Sequence, residues 1–170
     1  KGENALYFGA VTIGIASSIA LKDSGFNEVI VCKQSELRLK KAASLGMKTC
    51  NNSKEDVKKK AISCFGEAFA ITGLTADVAI YIDAAGAESI LDLYQDMGKV
   101  ESRMVVVAVL DGKRQVDILQ MNFAQHALLG SGGYQEEDVQ DLMEIIKSHR
   151  WDLQGIIKQI NHWEQLTTEI

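Results

Sequence analysis

The sequence predicts an α/β fold in which a parallel sheet is covered by helices on both faces. Short apolar segments rich in β-branched residues alternate along the chain with amphipathic segments of about 10 to 14 residues. Glycine or small residues follow most of the apolar segments, at positions where a strand would turn into a helix. Repeated strand–helix–strand units of this kind connect in the right-handed sense and form one doubly wound sheet.

Six strands and six helices are expected. The strands are expected at Ala5–Gly9, Glu28–Cys32, Met47–Cys50, Asp77–Ile82, Arg103–Leu110 and Gln125–Ser131. The helices are expected at Thr12–Ser24, between a Ser35 cap and Gly46, at Lys54–Phe65 after a Ser53 cap, and at Ala87–Met97, Val116–Phe123 and Glu136–His149. The segment Glu67–Ala76 is expected to be a loop. Ligands of such sheets bind beyond the carboxyl ends of the strands, so the site is expected there.

The composition is that of a globular protein and argues against several classes of partner. The chain has 170 residues, which suits one domain with a sizeable core. Its net charge of −5 gives no support for binding to nucleic acid or to anionic membranes, and neither partner is expected. No apolar run approaches the roughly 20 residues of a membrane span. Because Lys1–Glu3 leads directly into the first predicted strand, no secretory signal is expected.

Cysteine and histidine usage gives no indication of a metal site. Cys32, Cys50 and Cys64 are odd in number and form no C-x-x-C pair, which indicates reduced structural thiols and a cytoplasmic location. The three histidines do not lie at metal-ligand spacing with any cysteine. We therefore expect no metal ligand in this chain.

A glycine motif follows the first predicted strand. Dinucleotide-binding turns have the pattern G-x-G-x-x-G: the first glycine allows a tight turn, the second lets the backbone approach pyrophosphate, and the third lets helix and strand pack closely. Gly9 and Gly14 occupy the first and third positions, whereas Val11 occupies the second. Thr12 and Ile13 then begin the helix. The motif predicts a dinucleotide site with a β-branched side chain where phosphate would come close.

Four segments together resemble one known family. They are Lys1–Asn4 before the first strand, Gly9 to Gly14 after it, Asp83–Ala87 at the end of the fourth strand, and His126–Gly132 at the sixth. In this order and spacing they are similar to the cofactor domain of medium-chain, zinc-type alcohol and polyol dehydrogenases. The resemblance covers essentially the whole chain. It implies a six-stranded Rossmann domain over residues 1–150 that binds NAD or NADP.

The resemblance also implies what this domain lacks by itself. In the family, the catalytic zinc ligands and the structural zinc site lie mainly before the cofactor domain, so zinc is expected only in a full-length enzyme. No catalytic residue is expected in this chain, which alone should be inactive. The tail 151–170 resembles the return toward the catalytic domain and is expected to pack on a partner or on that domain. A homodimer through the strand Gln125–Ser131, as family members often form, is a further hypothesis.

Two basic residues occur at the adenosine end, of which Lys33 departs from the family pattern and Arg38 agrees with it. The acid that binds the ribose hydroxyls, about 20 residues after the last glycine, is replaced by Lys33. Arg38 lies where the family often has an arginine. A lysine cannot accept hydrogen bonds from ribose hydroxyls, but it can bind a 2′-phosphate, which favours NADP over NAD. Alternatively, both residues are solvated charges at the start of a helix.

The resemblance implies a set of cofactor contacts and a reaction. The contacts are Gly9, Val11, Thr12, Ile13, Gly14, Lys33, Arg38, Ala85, Gly86, Val107, Ala108, Val109, Gly130 and Ser131. The reaction is hydride transfer between an alcohol or polyol and a nicotinamide ring. Val11 and Lys33 motivate an alternative, a non-catalytic protein that has lost the cofactor and uses the fold for partner binding or regulation. A third reading is a site for another adenosine-containing nucleotide.

Overall fold

The computed structural model describes residues 2–9, 12–109 and 111–153. Within these residues the strands are β1 (Asn4–Phe8), β2 (Glu28–Cys32), β3 (Lys48–Cys50), β4 (Glu67–Ala70), β5 (Gly73–Ala76), β6 (Ile80–Asp83), β7 (Arg103–Val106) and β8 (Ala127–Gly130). The helices are α1 (Thr12–Asp23), α2 (Glu36–Ser44), α3 (Val57–Phe65), α4 (Glu88–Met97), α5 (Ile118–Ala124) and α6 (Glu136–Lys147). Across the described part of the chain, no helix combines the length and the apolar character that crossing a bilayer requires.

Six of the strands form one parallel sheet in the order β3-β2-β1-β6-β7-β8, which confirms the predicted fold class. β1 pairs with β2 on one side and with β6 on the other. The chain therefore builds one half of the sheet outward from β1 and then returns to build the other half outward from β6. The reversal between β1 and β6 is the topological switch point, where sheets of this kind leave a crevice for ligands.

The sheet separates two apolar clusters. Because successive residues of a strand point to opposite faces, β1 supplies Leu6 and Phe8 to one cluster and Ala5 and Tyr7 to the other. Helices α3 and α4 cover the first cluster, and α1 and α2 cover the second. All five residues of β1 are buried, which explains why this strand has no alternation of apolar and polar residues.

The prediction of a loop at Glu67–Ala76 is wrong, because β4 and β5 form an antiparallel hairpin there. Phe69 pairs with Leu74 across the hairpin, and both side chains remain exposed. Two hydrogen bonds attach the hairpin to the end of α4 and the segment after it. The Thr75 hydroxyl donates to the carbonyl oxygen of Met97 at 2.5 Å, and the N–H of Val100 donates to the carbonyl oxygen of Phe69 at 3.0 Å. These contacts come from distant parts of the chain, so local sequence pattern gave little sign of them.

Two strands of the sheet differ from the predicted boundaries by three residues or more. β7 ends at Val106 rather than Leu110, because the N–H groups of Val107 and Ala108 both donate to the carbonyl of Asp83 and leave the regular ladder. Leu110 itself lies outside the described residues. β6 begins at Ile80 rather than Asp77.

The first turn of α3 differs from expectation, whereas α2 begins where it was predicted. Asp56, not Ser53, caps α3: its Oδ1 accepts the N–H of Lys59 at 3.0 Å. The Ser53 hydroxyl instead bonds the side-chain oxygen of Asn51 at 2.7 Å. Ser35 occupies the cap position of α2, but its side chain makes no capping hydrogen bond. Helix α3 thus starts at Val57, three residues later than predicted, whereas α2 starts at Glu36, directly after the predicted cap residue.

The start of the tail packs on this same domain. The Trp151 indole N–H donates to Oδ1 of Asp23 at 3.1 Å, and Arg150 forms an ion pair with that carboxylate at 2.8 Å. Trp151 and Leu153 pack against the cluster that contains Tyr7. These contacts were expected with a partner or a further domain, whereas here they are made with the end of α1. The remainder of the tail, 154–170, lies outside the described residues.

Candidate dinucleotide-binding site

The carboxyl ends of the six strands lie in one row across the sheet. The register pairs residues in the order Cys50, Cys32, Phe8, Asp83, Val106 and Gly130. The predicted contacts Gly9, Lys33, Ala85, Gly86, Val107, Ala108, Val109 and Ser131 follow this row within three residues, and Gly130 is its last member. Parallel pairing therefore brings segments that are far apart in sequence to one edge of the sheet.

Gly9 makes the turn that leaves β1. Its φ of +125° is unfavourable for any residue with a side chain. A Cβ atom at this position would also lie 3.3 Å from the carbonyl carbon and oxygen of Ala84. The N–H of Gly9 donates to the carbonyl of Cys32 at 3.1 Å. Gly9 therefore lets the backbone at the end of β1 approach the backbone at the end of β6 closely.

Gly14 allows α1 to pack directly on this turn. A Cβ atom on Gly14 would overlap the carbonyl oxygen of Gly9 and lie 3.0 Å from Cε1 of Tyr7. Thr12 and Ile13, which begin α1, are exposed. The first turn of α1 contains no acidic residue, so the positive end of the helix dipole is not compensated locally. Val11, the departure from the glycine motif, lies outside the described residues.

Asp83 fixes the turn on the other side of the crevice. Its side chain is 2% exposed, and its Oδ1 accepts the N–H groups of Ala85 at 2.9 Å and Gly86 at 2.8 Å. Its main-chain carbonyl accepts from Val107 and Ala108. Asp83 therefore connects two of the predicted contact segments. The sequence predicts a turn at Asp83 but not that its side chain holds the turn. An aspartate side chain commonly accepts the backbone N–H two or three residues later in such a turn.

Lys33 and Arg38 lie beside the end of β2. The backbone N–H of Lys33 donates to the carbonyl of Cys50 at 3.1 Å, which continues the pairing of β2 with β3 by one residue. Arg38 is in the first turn of α2. Both side chains are half-buried, and among the described residues neither forms an ion pair or a side-chain hydrogen bond. The side chains of Lys33 and Arg38 can therefore bind an anion at this end of the row.

The remaining predicted contacts lie on the β7 and β8 side. Val107 and Ala108 are half-buried, whereas Val109 is 99% exposed. The Ser131 N–H donates to the carbonyl of Val106 at 2.9 Å, and both Gly130 and Ser131 are exposed. This side of the edge is therefore open and largely apolar.

Cys32 and Cys50 lie at the carboxyl ends of β2 and β3, on one side of the row. Both residues are buried and free. The hydrogen bond between the two thiols, together with burial, raises the pKa of Cys32 well above its usual range. At neutral pH Cys32 is therefore an uncharged thiol and adds no negative charge near Lys33.

The strand order, the glycine turn and the helix packed on it define a Rossmann domain. The sequence model of the zinc-binding dehydrogenase family matches residues 12–148. The chain belongs to this zinc-binding dehydrogenase family. Comparison with curated protein sequences gives no match.

Solved structures of alcohol dehydrogenases share the fold at low sequence identity. Benzyl alcohol dehydrogenase from Acinetobacter calcoaceticus is 17% identical with a TM-score of 0.82, over 98% of this chain and 45% of that one. A short chain alcohol dehydrogenase from E. coli CFT073, complexed with NADH, is 21% identical with a TM-score of 0.71, over 92% and 42%. A zinc-binding dehydrogenase from Sinorhizobium meliloti 1021, bound to NADP, is 19% identical with a TM-score of 0.69, over 93% and 43%. The chain thus spans less than half the length of these structures.

Zinc belongs to the family but finds no ligand set in the described part of this chain. No group of three or more His, Cys, Asp or Glu side chains converges there in a way that could hold a metal ion. A catalytic zinc needs three protein ligands. The described residues therefore do not supply a zinc site.

Proposed function

We propose that this chain is the nucleotide-binding domain of a zinc-type alcohol or polyol dehydrogenase and binds NADP or NAD at the β1/β6 switch point. The observation that carries the proposal is the contact between Gly14 and Gly9, which brings the N-terminal part of α1 directly against the backbone of Gly9. A helix N-terminus over a glycine turn suits the pyrophosphate of a dinucleotide. When bound, the nicotinamide ring supplies hydride transfer to or from an alcohol.

The chain's own residues bind and orient the cofactor in this proposal. Backbone N–H groups at the start of α1, at Thr12 and Ile13, would hold the pyrophosphate. The turn at Ala85–Gly86, held by Asp83, borders the crevice on the β6 side. Val107 to Val109 and Gly130–Ser131 offer an apolar, open surface toward the nicotinamide end. None of these groups moves a proton or a hydride, so the domain alone should turn over no alcohol.

Lys33 and Arg38 favour NADP over NAD. Both are cations without an ion-pair partner among the described residues, at the strand end where the adenosine ribose would lie. A 2′-phosphate would accept a charge-assisted hydrogen bond from each of these side chains. The ribose hydroxyls of NAD need a hydrogen-bond acceptor, and a lysine side chain has none.

A homodimer through β8 and a cytoplasmic location complete the proposal. β8 is the last strand of the sheet, and Leu128 and Leu129 on it are 39% and 46% exposed. An exposed apolar edge strand can pair with its copy across a two-fold axis. Sedimentation at high concentration should show a dimer, and a persistent monomer would count against this part. The free thiols suit a reducing compartment.

The second candidate is a domain that has lost its cofactor and binds a partner or a regulator instead. Val11 supports it, because a β-branched residue occupies the position at which glycine lets pyrophosphate approach. Lys33 supports it as well, since it removes the acceptor for the ribose hydroxyls of NAD.

Calorimetric titration with NADPH and NADH distinguishes the two candidates. The cofactor-domain proposal expects NADPH to bind at least about tenfold more tightly than NADH, which corresponds to about 1.4 kcal/mol. If neither dinucleotide binds, the lost-cofactor candidate is favoured. In that case the double variant Val11→Gly with Lys33→Asp should recover NADH binding. Assays of alcohol oxidation with the 170-residue chain should show no turnover in either case.

A further inference from the structure

A small apolar cavity lies next to the carboxyl ends of β6 and β7, and none of its lining residues is a predicted cofactor contact. It has a volume of about 180 Å³ and lies between the start of α4, the ends of β6, β7 and β8, and the segment before α5. Six of its eight lining residues are aliphatic: Ala87, Leu91, Met104, Val106, Val116 and Leu128. The other two, Asp83 and Arg114, are charged. Cavities that hold drug-sized ligands are about 300 to 1,000 Å³, so this one suits a smaller molecule.

The Arg114 guanidinium is held in place at this cavity with one edge unused. Its Nη1 donates to the carbonyl oxygens of Asp111 at 3.1 Å and Lys113 at 3.3 Å. Its Nε is buried and has no hydrogen-bond partner among the described residues. No hydrogen bond of Nη2 occurs in the described part of the chain either. The free Nε and Nη2 form the side-on fork that binds a carboxylate through two parallel hydrogen bonds.

The acid that shares the cavity does not satisfy this fork. Asp83 forms no ion pair with Arg114 within the described residues, and its Oδ1 already accepts from Ala85 and Gly86. A buried donor without an acceptor destabilises the protein unless a ligand satisfies it. The fixed negative charge of Asp83 also disfavours a doubly charged ligand such as phosphate, and it leaves a singly charged carboxylate as the better match.

We propose that this cavity binds a small monocarboxylate with a compact apolar body. The carboxylate binds the Nε/Nη2 edge of Arg114, and the apolar body lies against Leu91, Met104 and Leu128. The site does not depend on a bound dinucleotide, because none of the groups that define it is among the predicted cofactor contacts.

Benzoate, which combines a carboxylate with a flat apolar ring, tests the proposal in the absence of any nucleotide. Methyl-labelled methionine in the 170-residue chain gives a probe inside the cavity, because Met104 lines it. Benzoate should shift the Met104 methyl signal in a saturable way. Arg114→Gln should weaken binding at least about tenfold, and the neighbouring exposed Lys113→Gln should leave it unchanged. Benzamide, the uncharged analogue, should bind at least about tenfold more weakly than benzoate.

A second variant separates the cavity from the charge. Val116→Phe fills the cavity from its half-buried side and keeps Arg114, so it should abolish the benzoate shift while the other methyl signals stay in place. The proposal is overturned if benzoate causes no saturable shift of Met104, if Arg114→Gln binds as well as the parent, or if benzamide binds as tightly as benzoate. Because no dinucleotide is present, these outcomes are independent of whether the proposed cofactor function is correct.

Discussion

A Cβ atom on Gly14 would lie 2.9 Å from the carbonyl carbon of Gly9, closer than real Cβ atoms approach backbone. Helix α1 therefore contacts the turn after β1 at a distance that only glycine permits. The two glycines have separate roles: Gly9 supplies a positive φ, and Gly14 supplies the close approach. Together they place the start of α1 over the switch point of the sheet.

Gly14→Ala should destabilise the domain by about 1 to 3 kcal/mol, because the added methyl group must displace the Gly9 backbone or tilt α1. Urea unfolding followed by circular dichroism measures the change. Dinucleotide binding should weaken in the same variant, since the turn shifts with the helix.

Gly130→Ala is the matched control for that substitution. Gly130 lies at the carboxyl end of β8. A Cβ atom there would have no neighbour within 4 Å, and its φ is not positive. Its stability should change by less than about 0.5 kcal/mol. Equal effects of the two substitutions would contradict the packing role assigned to Gly14.

Asp83→Ala should cost about 2 to 3 kcal/mol of unfolding free energy, because it leaves the N–H groups of Ala85 and Gly86 without their acceptor. Asp83→Asn keeps a side-chain oxygen and should cost about 1 kcal/mol. Chemical denaturation of both variants checks the order. If the alanine variant were as stable as the asparagine variant, the carboxylate would not be holding this turn.

Much of the fold could be predicted because it depends on local pattern. The apolar runs of β1 and β2 and the glycine after β1 are explicit in the sequence, and each of these elements lies where it was expected. The β4–β5 hairpin could not be predicted in the same way, since Thr75 and Phe69 are fixed by contacts with Met97 and Val100. Those contacts exist only after the sheet and α4 have assembled.

The site was predictable to the extent that it follows strand ends. The placement of Gly9, Lys33 and Gly86 at one edge of the sheet could be predicted, because parallel pairing brings strand ends together, whereas their contact with a cofactor stays a prediction. The role of Arg114 depends on the orientation of one side chain at a cavity, and no sequence pattern specifies such an orientation. The turn formed by Asp83 could have been predicted from the sequence, because its spacing to Ala85 and Gly86 is that of a common turn.

Three buried tyrosines should make the fold sensitive to alkali. Burial raises the pKa of Tyr7, Tyr81 and Tyr94 above the usual value near 10. Above about pH 10 the unfolded chain releases these phenolic protons while the native protein keeps them, so the unfolded state binds fewer protons and stability falls as pH rises. We expect a loss of more than about 1 kcal/mol between pH 9 and pH 11, with full stability retained below pH 9.

Tyr7→Phe isolates one of these groups. The Tyr7 hydroxyl is buried close to Ser17 and makes no hydrogen bond of good geometry among the described residues, so its removal should change stability by less than about 1 kcal/mol at pH 8. The decline between pH 9 and pH 11 should be shallower in this variant. Parallel stability curves for the variant and the parent would show that Tyr7 does not contribute to the alkaline loss.

Asp23→Ala should release the start of the tail. Asp23 accepts the Trp151 indole N–H and pairs with Arg150, so its loss should red-shift Trp151 fluorescence and cost about 1 to 2 kcal/mol. The measurement needs a Trp163→Phe background to isolate Trp151. Asp141→Ala on the exposed side of α6 is the control and should change neither quantity. An unshifted spectrum in Asp23→Ala would mean that Trp151 is not held by Asp23.

The most direct test of the proposed function is an amide NMR spectrum of the labelled chain with and without saturating NADPH. We expect the largest shifts at Gly9, Lys33 and Gly86, which follow the carboxyl ends of the strands, and at Gly14 in the first turn of α1. Amides at the opposite edge of the sheet, such as Glu28 at the start of β2, should not move. Shifts confined to that opposite edge, or no shifts at saturating concentration, would contradict the assignment of this edge as a dinucleotide site.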